Sequence, residues 1–152
     1  MKVFAIILIA LSTISFRACD HQQPHEDLEL SLSPNYSEGV LYLTPVITYI
    51  GEDPIKLHYG NNIAWIERVE KDEETYFEYE EPTAVLEHRS KLVEEDERAG
   101  QTIKIEVDPG TYEIVLKAEY TVEKDGERAT NTDGNNGFQH TNRVVQTIEV
   151  KR

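Results

Sequence analysis

Alternation of apolar and polar residues over the stretch 103–122 is the feature that most restricts how this chain can fold. Side chains alternate between the two faces of a β-strand, so a period of two predicts a strand with one buried face and one solvated face. A helix would need apolar residues three and four positions apart, and this stretch lacks that spacing. The predicted buried face consists of Ile103, Ile105 and Val107 before a turn, and of Tyr112, Ile114, Leu116, Ala118, Tyr120 and Val122 after it.

The turn inside this stretch is Asp108-Pro109-Gly110. Pro109 presets its own φ and Gly110 tolerates positive φ, which favours a reversal of the chain here. A Pro-Gly-x-Tyr step into a long strand is typical of the corner of immunoglobulin-like sandwiches, where a tyrosine hydrogen-bonds backward to the main chain. Tyr112 is the candidate for that role. The alternative is that Tyr112 is simply the first inward residue of the strand.

Further alternating segments extend the same pattern along the chain. They predict an all-β domain over residues 28–152, an immunoglobulin-like antiparallel β-sandwich of about seven to eight strands. The irregular part of this domain is the segment 82–99, in which Val85 and Leu86 suit either a short strand or a helical turn. The other predicted strands begin at Leu28 and at Val40, and cover residues 55–59, 63–69, 75–79 and 144–150.

Two prolines modify the first predicted strands. Pro34, between Ser33 and Asn35, is expected to end the first strand early. Pro45 cannot donate a hydrogen bond, so the strand over 40–50 is predicted to lie at a sheet edge or to be bulged. The turn at 51–54 is predicted to close a hairpin between that strand and residues 55–59.

For two side chains in the next strands, the sequence predicts whether they face solvent or the core. His58 alternates with apolar neighbours and is predicted to face solvent. The sequence Gly60-Asn61-Asn62 is predicted to end that strand. Trp65, the single tryptophan, is predicted to lie in the core.

Residues 1–18 resemble an export signal, because Lys2 precedes an unbroken apolar run from Val3 to Leu11. The run is too short for a membrane span. Cys19, the single cysteine, follows Ala18 as in a bacterial lipobox, which predicts a lipidated Cys19 and a protein held outside a bacterial cell membrane. Phe16 and Arg17 depart from the lipobox pattern, and a plain secretory signal or an uncleaved anchor is the alternative. Residues 19–27 are predicted to form a polar tether.

The formal net charge of −14 restricts the partners of the chain. Such a surface repels phosphate backbones, so nucleic acid is excluded as an expected partner. The single cysteine excludes a disulfide within the chain and a zinc site built from cysteines. No cofactor is predicted.

The segment 124–142 offers one possible metal site. Asn131, Asp133 and Asn135 place oxygen ligands at alternate positions, as at the start of a calcium loop. The loop's characteristic glycine is replaced by Asn136, and its final glutamate by Asn142. A loop between the last two strands is therefore the preferred interpretation.

Two segments resemble the family of BsuPI-type proteinase inhibitors and related immunoglobulin-like bacterial lipoproteins. They are the strand-turn-strand segment 46–60 and the segment 99–114, which contains Pro-Gly-Thr-Tyr-Glu-Ile. The resemblance implies an all-β sandwich and inhibition of serine proteases. No reactive residue can be carried over, and an export signal departs from an intracellular inhibitor.

These observations predict a non-enzymatic module that contacts an envelope or secreted protein through its loops. No Ser lies in a Gly-x-Ser-x-Gly elbow, which disfavours a hydrolase. The alternatives are a small hydrolase, a calcium-binding module, and a glycan-binding module. The glycan platform would be built from Tyr42, Trp65, Tyr76, Phe77 and Tyr79.

Overall fold

Ten β-strands form the regular structure of residues 23–128 and 139–151, the part of the chain that the computed structural model describes. No helix in that part is long and apolar enough to cross a membrane. The strands are β1 (Leu28–Ser37), β2 (Val40–Tyr49), β3 (Ile55–Lys71), β4 (Glu74–Glu78), β5 (His88–Leu92), β6 (Glu97–Ala99), β7 (Ile103–Glu106), β8 (Gly110–Lys124), β9 (Glu127–Arg128) and β10 (His140–Val150).

The strands form two antiparallel sheets. The first has the order β1-β2-β6, with β7 also paired to β2. The second has the order β10-β8-β3-β4, with β5 paired to β3 and β9 paired to β8. The prediction of an all-β, immunoglobulin-like sandwich is confirmed, but the described residues form ten strands where about seven to eight were predicted.

The stretch 103–122 supplies one strand to each sheet. Its first part is β7 in the four-stranded sheet, and its second part is β8 in the six-stranded sheet. The inward residues of β8 from Tyr112 to Tyr120 have no exposed surface, while Ile103 and Ile105 of β7 are 9% exposed. The core therefore lies between the two sheets, and the turn at 108–110 carries the chain across it.

Tyr112 anchors that crossing. Its hydroxyl donates a hydrogen bond to the carbonyl of Asp108 at 2.8 Å, the backward bond that defines a tyrosine corner. Burial raises the pKa of the Tyr112 phenol to about 12. Gly110 has a φ of 152°, a conformation that favours glycine, and a Cβ at this position would meet the side chain of Lys71. Lys71 in turn donates to the carbonyl of Pro109 at 3.1 Å.

β3 is a single strand of 17 residues, so the prediction that Gly60-Asn61-Asn62 ends a strand is wrong. Two irregularities interrupt its pairing with β8. Residues 60–63 lie opposite the single residue 119 of β8, and Glu67 is an extra residue between Ile66 and Arg68. An odd number of extra residues moves the following side chains to the other face of the sheet.

The first irregularity explains why Trp65 is not a core residue. In an uninterrupted strand Trp65 would share the inner face with Ile55 and Leu57. The extra residues instead place Ala64 and Ile66 in the core, with no exposed surface. Trp65 consequently lies half-buried on the outer face of the sheet, and its prediction as a core side chain is wrong.

The predictions for the two prolines are also wrong. β1 continues through Pro34, which lies opposite Leu43. β2 is a central strand without a register shift at Pro45. The carbonyl of Pro45 accepts from the Gly100 amide at 2.8 Å, and the nitrogen of Pro45 faces the same side of β2. On that side β6 and β7 leave a gap, so no strand needs a hydrogen bond from this nitrogen.

The expected hairpin between β2 and residues 55–59 does not form. The two strands belong to different sheets, and the turn at 51–54 joins the sheets. Tyr49 at the end of β2 donates to the carbonyl of Asp53 at 2.5 Å, which helps to hold this connection.

Residues 23–27, at the end of the predicted tether, contact the sandwich. The ring of His25 meets that of His140 edge-on at 5.2 Å, and the Nδ1 atom of His140 lies 3.0 Å from the carbonyl of Gln23. The His25 amide donates to the hydroxyl of Tyr120 at 3.4 Å. Tyr120 donates to Asn142, which is 5% exposed. A polar network therefore joins this segment to β8 and β10.

Removing the Tyr112 hydroxyl tests the corner. Tyr112→Phe keeps the buried ring and loses the hydrogen bond to Asp108, so we expect the free energy of unfolding to fall by about 1 kcal/mol. Urea denaturation measures this change. Tyr42→Phe is the matched control, since Tyr42 is 38% exposed, and equal effects in both variants would contradict the assigned role.

The stability of the sandwich should depend on the charge of His140. Burial is the main cause that lowers the pKa of His140 below its ordinary value of 6.5, and the neighbouring His25 lowers it further. The folded state then binds fewer protons than the unfolded state, so the contribution is complete above pH 6.5 and is lost as the pH falls toward the folded-state pKa.

We expect the urea concentration at the midpoint of unfolding to decrease for the wild type when the pH is lowered from 7.5 to 5.5. His140→Gln should make this decrease smaller. His88→Gln is the control, because His88 is exposed on β5. An unchanged pH profile in His140→Gln would refute the assignment.

Candidate functional site

The segment between β4 and β5, here called the 79–87 loop, carries the two most exposed large apolar side chains of the described residues. Val85 is 61% exposed and Leu86 is 69% exposed. Neither residue lies in a strand or a helical turn. Contiguous apolar surface in contact with water is a feature of interaction sites.

Asn61 holds the backbone of this loop on both sides of Val85. Its Nδ2 atom donates to the carbonyl of Ala84 at 2.9 Å, and its Oδ1 atom accepts from the amide of Leu86 at 2.9 Å. One side-chain amide thus satisfies both an acceptor and a donor of the main chain. The loop backbone is therefore hydrogen-bonded at its apolar tip although it belongs to no sheet.

The position of Asn61 follows from the irregularity in β3. β5 pairs with residues 55–59 of β3, and β4 pairs with residues 68–71. The part of the β3 edge between them carries Asn61 and is the part that the 79–87 loop spans. At the start of the loop, the Tyr79 amide donates to the carbonyl of Glu67 at 2.9 Å.

His58 lies beneath the end of the loop, and the prediction that it faces solvent is wrong. It shares the outer face of the sheet with Lys56, but it is only 2% exposed. Its Nδ1 atom lies 3.2 Å from a carboxylate oxygen of Glu87, the last residue of the loop. Its Nε2 atom lies 2.6 Å from a carboxylate oxygen of Glu123 on β8. The buried imidazole therefore lies between the last residue of the loop and β8.

The carboxylate of Glu123 also accepts from Lys56 at 3.2 Å. The hydrogen bond from His58, together with that from Lys56, lowers the pKa of Glu123 below its ordinary value of 4.5. The carboxylates of Glu87 and Glu123 face opposite nitrogens of one ring, so they do not converge on a common point. The imidazole is therefore a structural bridge that joins β3, β8 and the 79–87 loop.

The five aromatic residues predicted to form a glycan platform do not share a surface. Tyr76 and Phe77 pack against the core. Tyr42 belongs to the four-stranded sheet. Trp65 and Tyr79 do meet on the outer face of the six-stranded sheet, where their rings stack with centroids 5.2 Å apart.

A cation also contacts the stacked pair. Lys117 of β8 lies over the indole, with its Nζ atom 5.7 Å from the ring centroid. β8 and β4 flank β3 on opposite sides, so the indole lies between Lys117 and Tyr79. The part of the predicted platform that does assemble is therefore a pair of half-buried rings, Trp65 and Tyr79, and not a surface of five.

The remaining predicted site residues fall in parts of the chain that are not described. Cys19 and the calcium-loop residues Asn131, Asp133 and Asn135 all lie outside residues 23–128 and 139–151. Within the described ranges, no three His, Cys, Asp or Glu side chains are grouped to hold a metal ion.

The contacts of Asn61 and His58 were missed by sequence reasoning. Asn61 belongs to a Gly-Asn-Asn segment that is typical of a strand end. Glu87 belongs to a segment rich in acidic residues. The sequence feature that could have indicated this loop is the apolar run Ala84-Val85-Leu86, which is flanked by acidic residues. The run is too short to show the period of a strand or a helix.

No protein-family model matches the chain, and no curated protein is significantly similar to it. Its class, an immunoglobulin-like β-sandwich, follows from the strand order and from the tyrosine corner. Its function is inferred from the residues and geometry described above.

Asn61→Ala tests whether this side chain orders the loop. The substitution removes both hydrogen bonds, so we expect the Leu86 amide to exchange with solvent at least about tenfold faster, and stability to fall by about 1 kcal/mol. NMR-detected hydrogen exchange measures the first effect. Asn62→Ala is the matched control, because Asn62 donates to Gln101 and not to the loop. Unchanged exchange at Leu86 would contradict the assigned role.

Proposed function

We propose that this protein is a non-enzymatic module, held by a lipidated Cys19 outside a bacterial cell membrane, that binds an envelope or secreted protein through the 79–87 loop. The observation that carries the proposal is the exposure of Val85 and Leu86 on a backbone held by Asn61. A contact segment that is already ordered loses little conformational entropy on binding. More of the free energy of burial then contributes to affinity.

The exposed pair is large enough to matter energetically. Full burial of a Val or Leu side chain is worth roughly 1.5–3 kcal/mol relative to exposure. Because Val85 and Leu86 are 61% and 69% exposed, burial of their remaining surface is worth roughly 2–4 kcal/mol in total before the costs of association are subtracted. This gain suits contact with an apolar pocket on the partner.

The acidic residues of the loop indicate which charge the rim of that pocket should carry. Glu80 and Glu81 precede Val85 in the loop, whereas the carboxylate of Glu87, after Leu86, contacts His58. Complementary charge steers association and suppresses wrong partners. A partner with an apolar pocket and a basic rim fits both the apolar tip and the acidic flanks.

Support for the location comes from the sequence. The apolar run from Val3 to Leu11 has the length of the central region of a signal peptide. Cys19 follows it at the position that a lipobox requires. If Cys19 is not lipidated, the same module is secreted.

Inhibition of a peptidase is a narrower form of this proposal. The exposed side chain of Leu86, on a backbone ordered by Asn61, has the character of a residue that enters a specificity pocket. Titration of the full-length protein against subtilisin-type and chymotrypsin-type peptidases tests this form. Stoichiometric inhibition that is lost in Leu86→Asp supports it, and cleavage of the chain without inhibition argues against it.

Site-specific photo-cross-linking in the producing cell tests the main proposal. A photoreactive amino acid replaces Leu86 in the full-length chain, and in a matched control it replaces Ile50, which is 48% exposed outside the loop. We expect one protein to be captured from position 86 and not from position 50, and mass spectrometry identifies it. Absence of any adduct at position 86, at normal protein levels, would count against protein contact through the loop.

A further inference from the structure

The outer edge of β10 is a long and regular strand edge without a partner strand among the described residues. β10 is an end strand of the six-stranded sheet and pairs with β8 over 11 residues without a register shift. Asn142 near its start contacts the carbonyl of Leu28. From residue 143 to 150, the backbone pairs with no described strand other than β8.

β10 lacks several of the devices that protect an edge strand, although it carries the charged residues Arg143 and Glu149. Prolines, lysines, bulges and short length discourage pairing with another chain. The edge strand β1 contains Pro34, and β4 has five residues and a register shift against β3. Residues 140–150 contain no proline, glycine or lysine. Within residues 23–128 and 139–151, this edge is therefore open to a further strand.

The sequence of β10 is complementary to itself when read in opposite directions about Gln146. We propose that β10 pairs antiparallel with β10 of a second copy of this chain, with the two-fold axis at Gln146. The pairing joins the two six-stranded sheets into one continuous sheet. It is independent of the 79–87 loop.

In this register Arg143 lies opposite Glu149 of the second copy, and the pair occurs twice because the interface is isologous. Both residues lie on the outer face of the sheet, where cross-strand neighbours interact directly. Opposite charges across strands stabilise a pair, whereas like charges destabilise it. The charges therefore favour this register over a shift by two residues.

The apolar residues of β10 are placed consistently with the same register. Val144 lies opposite Ile148 of the second copy on the inner face, beside the core. Val145, which is 40% exposed, lies opposite Thr147 of the second copy on the outer face. β-Branched pairs of this kind pack well across antiparallel strands.

The charged residues already have partners within the chain, but these pairs are on the surface. Arg143 is bound by Glu67 at 3.0 Å, and Glu149 lies 3.3 Å from Lys151. The four side chains are 33–50% exposed. Arg143 holds Glu67 through both Nε and Nη2, so we expect its guanidinium to be shared with Glu149 of the second copy while the bond to Glu67 is kept. The exposed Glu149–Lys151 pair contributes little to stability and is exchanged at little cost.

Charge reversal tests the register. Sedimentation equilibrium of the full-length chain in mild detergent gives the dissociation constant of the dimer. We expect Arg143→Glu and Glu149→Arg each to raise it by roughly tenfold, because each creates two like-charge pairs. The double variant carries both reversals, restores the opposite-charge pairs, and should return the dissociation constant to the wild-type range.

The double variant distinguishes this proposal from a purely structural role of the Arg143–Glu67 pair. That pair is still broken in the double variant, so recovery of dimerisation cannot come from it. Failure of the double variant to recover dimerisation would overturn the register. A wild-type chain that remains monomeric up to about 100 µM, weaker than usual specific association, would overturn the dimer.

A disulfide trap provides a second measurement in the producing cell. Gln146→Cys places two cysteines opposite each other at the proposed two-fold axis, at a separation that a disulfide can bridge. We expect a disulfide-linked dimer in Gln146→Cys and none above the wild-type level in Val85→Cys. A dimer at equal level in both variants, or an adduct of position 146 with a different protein, would overturn pairing with a second copy.

Discussion

The antiparallel pairing of β3 with β8 is the contact on which the rest of the structure depends. The inner face of β8 forms the middle of the core, and β3 lies beside it over most of its length. The irregularity at residues 60–63 interrupts this ladder with an odd number of extra residues. The change of face that follows places Ala64 and Ile66 in the core and Trp65 outside it, and the second irregularity returns Val69 to the inner face.

The same irregularity organises the 79–87 loop. Asn61, within it, is available to the loop and supplies the hydrogen bonds that a neighbouring strand would otherwise make. His58, just before it, bonds Glu87 at the end of the loop and Glu123 on β8. The loop is therefore held by side chains from one strand, while its apolar tip stays in water. An ordered apolar tip is the property that suits it to protein contact.

The parts of the fold that sequence reasoning predicted well are those governed by local alternation. The stretch 103–122, the start of β2 at Val40 and the end of β10 all follow the period of two. Pro45 shows where this reasoning fails, because two short strands, β6 and β7, share one side of β2 and leave a gap at the proline. The contact of Asn61 with residues 84–86 could not be predicted, since it joins positions more than twenty residues apart.

The sequence by itself determined the all-β class, the inward face of β8 and the turn that leads into Tyr112, because alternation and turn chemistry are properties of neighbouring residues. Only the tertiary structure decided the face of Trp65, the burial of His58 and the presentation of Val85 and Leu86. These features depend on the number of residues that a strand places opposite its partner, and on the contacts of a loop with residues of β3. Neither quantity is set by a local pattern, because both follow from packing between distant segments.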